Sequence, residues 1–222
     1  MGVNWLSVPE VAERLGVSQR RVQQRIADGS LPAERISGRW AVPASAIREV
    51  SSVPGRPLGS TMAWGVLGYL TARDYKTEPY LRSSERHAAR RYANKLRQER
   101  HPAPLMRAWL KKRGGRRQFR AAAPDLSDLR NDERIRLSGL SLPEAGIVAG
   151  DIVEAYISPT LFDDVVNDYF LVPADSGEAN VVLHVADALV DPASPAVIAA
   201  DLAEHNGPRE DGRVEELLRG LR

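Results

Sequence analysis

Between Ser18 and Asp28 the chain gathers Gln19, Arg20, Arg21, Gln23, Gln24 and Arg25, with no acidic side chain before Asp28. Arg and Gln are the side chains whose forked donors and acceptors match guanine and adenine edges in the major groove. Ser18, Gln19, Arg20, Arg21, Gln23, Gln24 and Arg25 are therefore candidates for contact with bases or phosphates. The chemistry holds only if this run is a helix with one side buried and the other free.

The surrounding residues supply such a frame. Val8, Val11, Ala12 and Leu15 recur at i, i+3, i+4 and i+7, one face of a helix. Ser7 and Glu10 have the spacing of a capping box, and Pro9 falls in the first turn, where a missing N–H costs nothing. Gly16 suits the left-handed end of this helix. Ser18 caps the next one, whose inward side needs only Val22 and Ile26, and Gly29 ends it. Ala33–Ile36 and Arg39–Val42, joined by Ser37-Gly38, read as a two-stranded hairpin. Trp40 is expected to anchor that hairpin on the helices. Pro43 and Ala44 open a short closing helix. A helical hairpin that packs on another protein is the blander interpretation of the same pattern.

The pattern L-S-V-x-E-x-A-x-x-L-G-V-S-x-x-x-V, then D-G-x-L-P, then G-R-W-x-V-P resembles the excisionase and MerR-like winged helix-turn-helix family over roughly residues 4–50. The resemblance implies that Arg20, Arg21 and Gln24 lie near bases or phosphates and that Arg39 of the wing lies near the minor groove.

The chain has 222 residues, enough for two or three domains, and a net charge of +2 that hides a strong asymmetry. Residues 82–120 hold 14 basic and 2 acidic side chains; residues 121–222 hold 7 basic and 20 acidic. Such separation implies one anionic partner and one basic partner. The absence of cysteine excludes disulfides and thiolate metal sites. His87, His101, His184 and His205 show no metal-ligand spacing. No signal segment opens the sequence and no apolar run is long enough to cross a bilayer, so a cytoplasmic protein is expected.

The expected organisation is α+β. Residues 1–50 form a winged helix-turn-helix DNA-binding domain and 51–57 a linker. Residues 58–138 form a basic, mainly helical region. Residues 139–222 form an acidic domain of mixed helices and strands, with 58–222 as one unit the alternative. Helices are expected over 60–71, from Ser83 or Ser84 to about Arg100, and over 105–113, 125–131, 161–169, 195–205 and 209–221. Strands are expected over 118–122, 135–138, 152–157 (half-buried), 170–172 and 180–185. Thr160 is expected to cap the helix from Leu161.

In the basic region Arg90, Arg91, Lys95, Lys111, Lys112, Arg113, Arg116 and Arg117 are candidate phosphate contacts, each adding about 0.9 to the slope of log affinity against log salt. The competing reading is neutralisation by the acidic tail. Tyr92, Trp109 and Phe119, at this spacing, are expected in the core. A second resemblance covers roughly residues 56–218. Arg56-Pro57-Leu58 with Ala63–Leu67, Asp132–Gly139, Val153–Ile157, Ala179–Val185, Ala199–Glu204 and Asp211–Leu217 are similar to the AbiEi-type antitoxin family. That resemblance implies an antitoxin that represses its own operon and counters a nucleotidyltransferase-like toxin, here through the acidic half.

Catalytic signatures are missing. Gly114-Gly115 lacks the strand, lysine and spacing of a phosphate loop, and no G-x-S-x-G elbow occurs. Asp163-Asp164 and Glu215-Glu216 read as solvated charge, and Asp151 with Glu154 lack a third metal ligand. No enzyme, cofactor or metal is expected. The expected partners are double-stranded operator DNA and a cognate toxin, with the protein acting on DNA as monomer or dimer. An excisionase-like architectural factor is the alternative.

Overall fold

The computed structural model describes residues 5–15, 18–27, 31–36, 38–44, 56–72, 80–175, 177–188 and 190–221. The chain divides into two compact units, Met1–Val53 and Pro54–Arg222. Gly16, Gly29, Ser37, the closing helix beyond Ala44 and most of the expected linker lie outside the described residues.

The first unit begins with strand β1 (Trp5–Ser7), followed by α1 (Val8–Leu15) and α2 (Gln19–Ala27). Glu10 accepts hydrogen bonds from the Ser7 amide at 2.8 Å and its hydroxyl at 2.7 Å, which ties down the start of α1. Strands β2 (Glu34–Ile36) and β3 (Arg39–Pro43) form the expected hairpin, turned through Gly38 at φ +79°. β1 adds a third strand in the order β1-β3-β2, all antiparallel. Sequence patterning missed β1, because three residues are too few to show a period. Leu6, Val11, Ala12, Val22, Leu31 and Val42 make the core of this unit.

Trp40 corrects an expectation. It is 37% exposed and lies outside that core. Trp40 shares a strand face with Val42, but β1 pairs only with Ala41–Pro43, so Trp40 lies one step beyond the covered part of β3. It sits opposite Arg35, whose guanidinium lies 5.1 Å from the ring centroid.

In the second unit α3 (Ser60–Thr71) is buried from Ala63 to Leu70, as an all-round apolar helix must be. α4 (Ser83–Gln98) buries Ala89, Ala93 and Leu96 on one side. Its N-cap is Arg82 rather than Ser83 or Ser84, and the Glu85 carboxylate accepts from the Arg82 amide at 2.8 Å. α5 (Ala103–Leu110) follows, then β4 (Gly115–Arg120), α6 (Asp125–Arg130), β5 (Ile135–Leu137) and β6 (Val153–Ile157). Next come α7 (Phe162–Asp168), β7 (Val172–Pro173), β8 (Val181–Val185), α8 (Pro195–His205) and α9 (Pro208–Gly220). Thr160 does not cap α7; its hydroxyl meets that of Ser158 at 3.1 Å.

Among the described residues the sheet order is β5-β6-β8-β4-β7, with only β6 and β8 parallel. β6 is buried at every residue, not half-buried, because both faces of the sheet are covered. Val153, Ala155 and Ile157 join Leu126, Leu129 and Val165 of α6 and α7 in one core. Tyr156, from the opposite face, joins α3, α4, α5, α8 and α9 in the other. Basic and acidic stretches therefore share this second core, and the structure mixes helices and strands in the α+β manner.

Candidate nucleic-acid interface

The polar run of the first unit lies along α2. Ser18 accepts from the Arg21 amide at 3.3 Å and so starts the helix. Val22 is fully buried and Ile26 half-buried, which fixes the roll of the helix. Ser18, Gln19, Arg20, Arg21, Gln23 and Gln24 consequently face solvent, and Arg25 is half-buried. Arg21 Nη1 donates to Gln24 Oε1 at 3.1 Å, so two forked groups are held side by side, one turn apart. Arg39 of the wing is exposed. Arg35, which sequence reasoning left out, stands on the same hairpin over Trp40; an Arg paired across a two-residue turn with Trp was the available signal.

The eight candidate phosphate contacts of the second unit fall into three groups, two exposed and one withdrawn. Arg90, Arg91 and Lys95 are exposed on α4, with their cations 5.2, 5.9 and 5.4 Å from the ring centroids of Tyr69, Tyr92 and Trp109. Lys111, Lys112 and Arg117 are exposed around the start of β4. Trp109 and Phe119 are core residues, with Tyr92 half-buried edge-on to Trp109.

Arg113 is a correction. It is only 1% exposed and is withdrawn from any external partner. Its Nη2 donates to Asp201 Oδ1 at 2.6 Å, its Nη1 pairs with Glu204, and its Nε donates to the Tyr156 hydroxyl at 2.8 Å. Burial alone would favour the neutral guanidine; the fields of Tyr156, Glu204 and Asp201 outweigh it and hold the guanidinium well above its ordinary pKa. Arg116 is partly withdrawn too, with Glu204 at 3.5 Å. Arg107 pairs with Asp211 at 2.8 Å and His101 with Glu215 at 2.7 Å. Part of the basic block is thus neutralised by the acidic helices of its own chain.

Next to Arg113 lies a buried polar layer between the sheet and α8. Glu154 accepts from His184 Nε2 at 3.0 Å, His205 Nε2 at 3.1 Å and the Leu140 amide at 2.9 Å. Burial raises the Glu154 pKa, but these hydrogen bonds to the two histidines overcome it and hold the carboxyl well below the usual carboxylate range. Gly139, at φ +49°, leaves the room this needs, since a Cβ there would fall 2.1 Å from the Glu154 carboxylate. Sequence reasoning missed this layer. Its visible marks were lone polar side chains within apolar runs: Glu154 in β6, His184 in β8 and Asp201 in α8. Among the described residues no cluster of three or more His, Cys, Asp or Glu could hold a metal, and no helix is long and apolar enough to cross a membrane.

Residues 5–50 match the family described as a helix-turn-helix domain. The N-terminal unit is a helix-turn-helix module, a class that binds DNA, and its α2 presents Arg and Gln side chains to solvent. No curated protein and no solved structure gives a significant match. The chain therefore carries a helix-turn-helix module ahead of a separate α+β unit of 169 residues, Pro54–Arg222.

Proposed function

We propose that this protein is a sequence-specific transcriptional regulator and the antitoxin of a toxin–antitoxin pair, repressing its own operon and countering a nucleotidyltransferase-like toxin. The observation that carries the DNA-reading part is the exposure of Arg20, Arg21, Gln23 and Gln24 along one side of α2 while Val22 is sealed beneath. The AbiEi-type resemblance supports the antitoxin part. Its segments supply the paired strands β6 and β8 and the helix α8, the interior of the second unit. Exposed Asp163 and Asp164 on α7, with exposed Phe170 and Val172 following that helix in the chain, suit a basic partner with an apolar centre. In this reading Arg90, Arg91 and Lys95 add phosphate contacts, and the protein binds rather than catalyses.

The test is a titration at physiological salt of a duplex from the protein's own promoter against a scrambled duplex. Preference for the promoter, lost on Arg20→Ala or Arg21→Ala, supports the reading; equal affinity defeats it. Co-expression with the toxin gene tests the rest, and growth arrest relieved by this chain is the expected result.

A further inference from the structure

In the second unit a cleft of about 990 Å³ opens between the first turn of α3, the connection from α5 into β4, and the C-terminal end of β8. Its sides differ in chemistry. Pro57, the edge of Trp64, Val185 and Ala186 make an apolar wall. The lining also carries Lys111, Lys112 and Arg116. Of the acids in the lining, Glu204 pairs with buried Arg113 and lies 3.5 Å from Arg116, and exposed Asp187 is the other. Lys111 and Lys112 are exposed and make no ion pair among the described residues. Arg116 Nε is out of solvent and makes no hydrogen bond, its nearest carboxylate oxygen lying at 3.5 Å. Arg116 is thus the least available of the three cations, and exposed Lys111 and Lys112 carry the positive charge of the cleft.

The geometry points to a nucleotide site. Phosphates fit against Lys111, Lys112 and Arg116, and the sugar and base against the apolar wall. The volume is that of a small-molecule site, mostly apolar with a few convergent polar groups. It seats one nucleotide and is too small for a duplex, which the α2 face serves instead. The nucleotide is either free or the end of a single strand; the recognising chemistry is the same. The site lies within the second unit and does not rest on operator reading.

The test is calorimetry on the full chain with ATP, GTP, inorganic triphosphate and a 5′-phosphorylated tetranucleotide, with no duplex present. Saturable binding of a nucleotide, one per chain, is expected. It should weaken by about tenfold or more in Lys111→Glu/Lys112→Glu, where charge-assisted hydrogen bonds are lost. Thr61→Trp, an exposed position on the lining, should block the apolar side, and melting curves verify that both variants are folded. Preference for mononucleotides assigns a free ligand; preference for the tetranucleotide assigns a strand end. Triphosphate bound as tightly as ATP overturns the nucleotide assignment. Absence of saturable binding, or equal binding by the folded variants, overturns the site.

Discussion

Arg113 donates to Asp201 at 2.6 Å with both side chains sealed from solvent, which joins the end of the basic stretch to the middle of an apolar helix. Removing Asp201 leaves the buried guanidinium with Glu204 as its remaining carboxylate and takes the acceptor from the Ser138 and Tyr156 hydroxyls. Asp201→Ala should destabilise the second unit by about 3–5 kcal/mol. Asp201→Asn, which keeps a hydrogen-bonding oxygen, should cost less. Urea unfolding of the two variants checks the order, and an Asp201→Ala protein as stable as the wild type would contradict the burial of the pair.

On α2 the expected effect is on binding and not on stability. Arg20→Ala or Arg21→Ala should cost about 1–3 kcal/mol in affinity for the promoter duplex, with little change for scrambled DNA. The melting temperature should hold, because both side chains face solvent. Fluorescence anisotropy on the two duplexes measures the difference.

Trp40→Ala should lower the stability of the first unit by no more than about 1 kcal/mol, the scale of an exposed cation–π contact with Arg35. A loss of about 3–5 kcal/mol, as for a buried Trp, would show the ring to be in the core.

The pairing of His205 with Glu154 makes stability depend on pH. Burial opposes the charged imidazole, but the hydrogen bond to Glu154 prevails and raises the His205 pKa above its ordinary 6.5. The stabilisation is then complete below pH 6.5 and fades as pH rises through the higher folded value. The melting-temperature gap between wild type and His205→Asn should be widest in mild acid and narrow on the alkaline side. A gap that widens with pH would reverse the assignment.

For the basic face of α4, Arg90→Ala/Arg91→Ala should flatten the salt dependence of promoter binding by about 0.9 per lost phosphate contact. An unchanged slope would restrict DNA contact to the first unit.

Much of this arrangement was legible because local signals agreed with tertiary ones. The span of α3 read as Ser60–Thr71 and is Ser60–Thr71, since eight successive buried residues leave no ambiguity of face. The roll of α2 followed from Val22 and Ile26 alone. Trp40 misled because strand periodicity gives a side chain's face and not how far the neighbouring strand extends. Arg113 misled because its charge resembles that of Lys111 and Lys112, while its fate was decided by Asp201, 88 residues away. Long-range pairing of this kind leaves no period in the sequence. The polar layer around Glu154 was hidden for the same reason, its members being scattered over β6, β8 and α8.

The common interior beneath the oppositely charged stretches bears on how the protein is dissected. A cut near residue 139 would strip α8 and α9 from α3, α4 and α5 and open their apolar faces to water. Neither fragment would then stand in for a region of the intact chain. Deletion mapping would score sticky, half-folded pieces, so binding surfaces are better separated by single substitutions in the whole polypeptide.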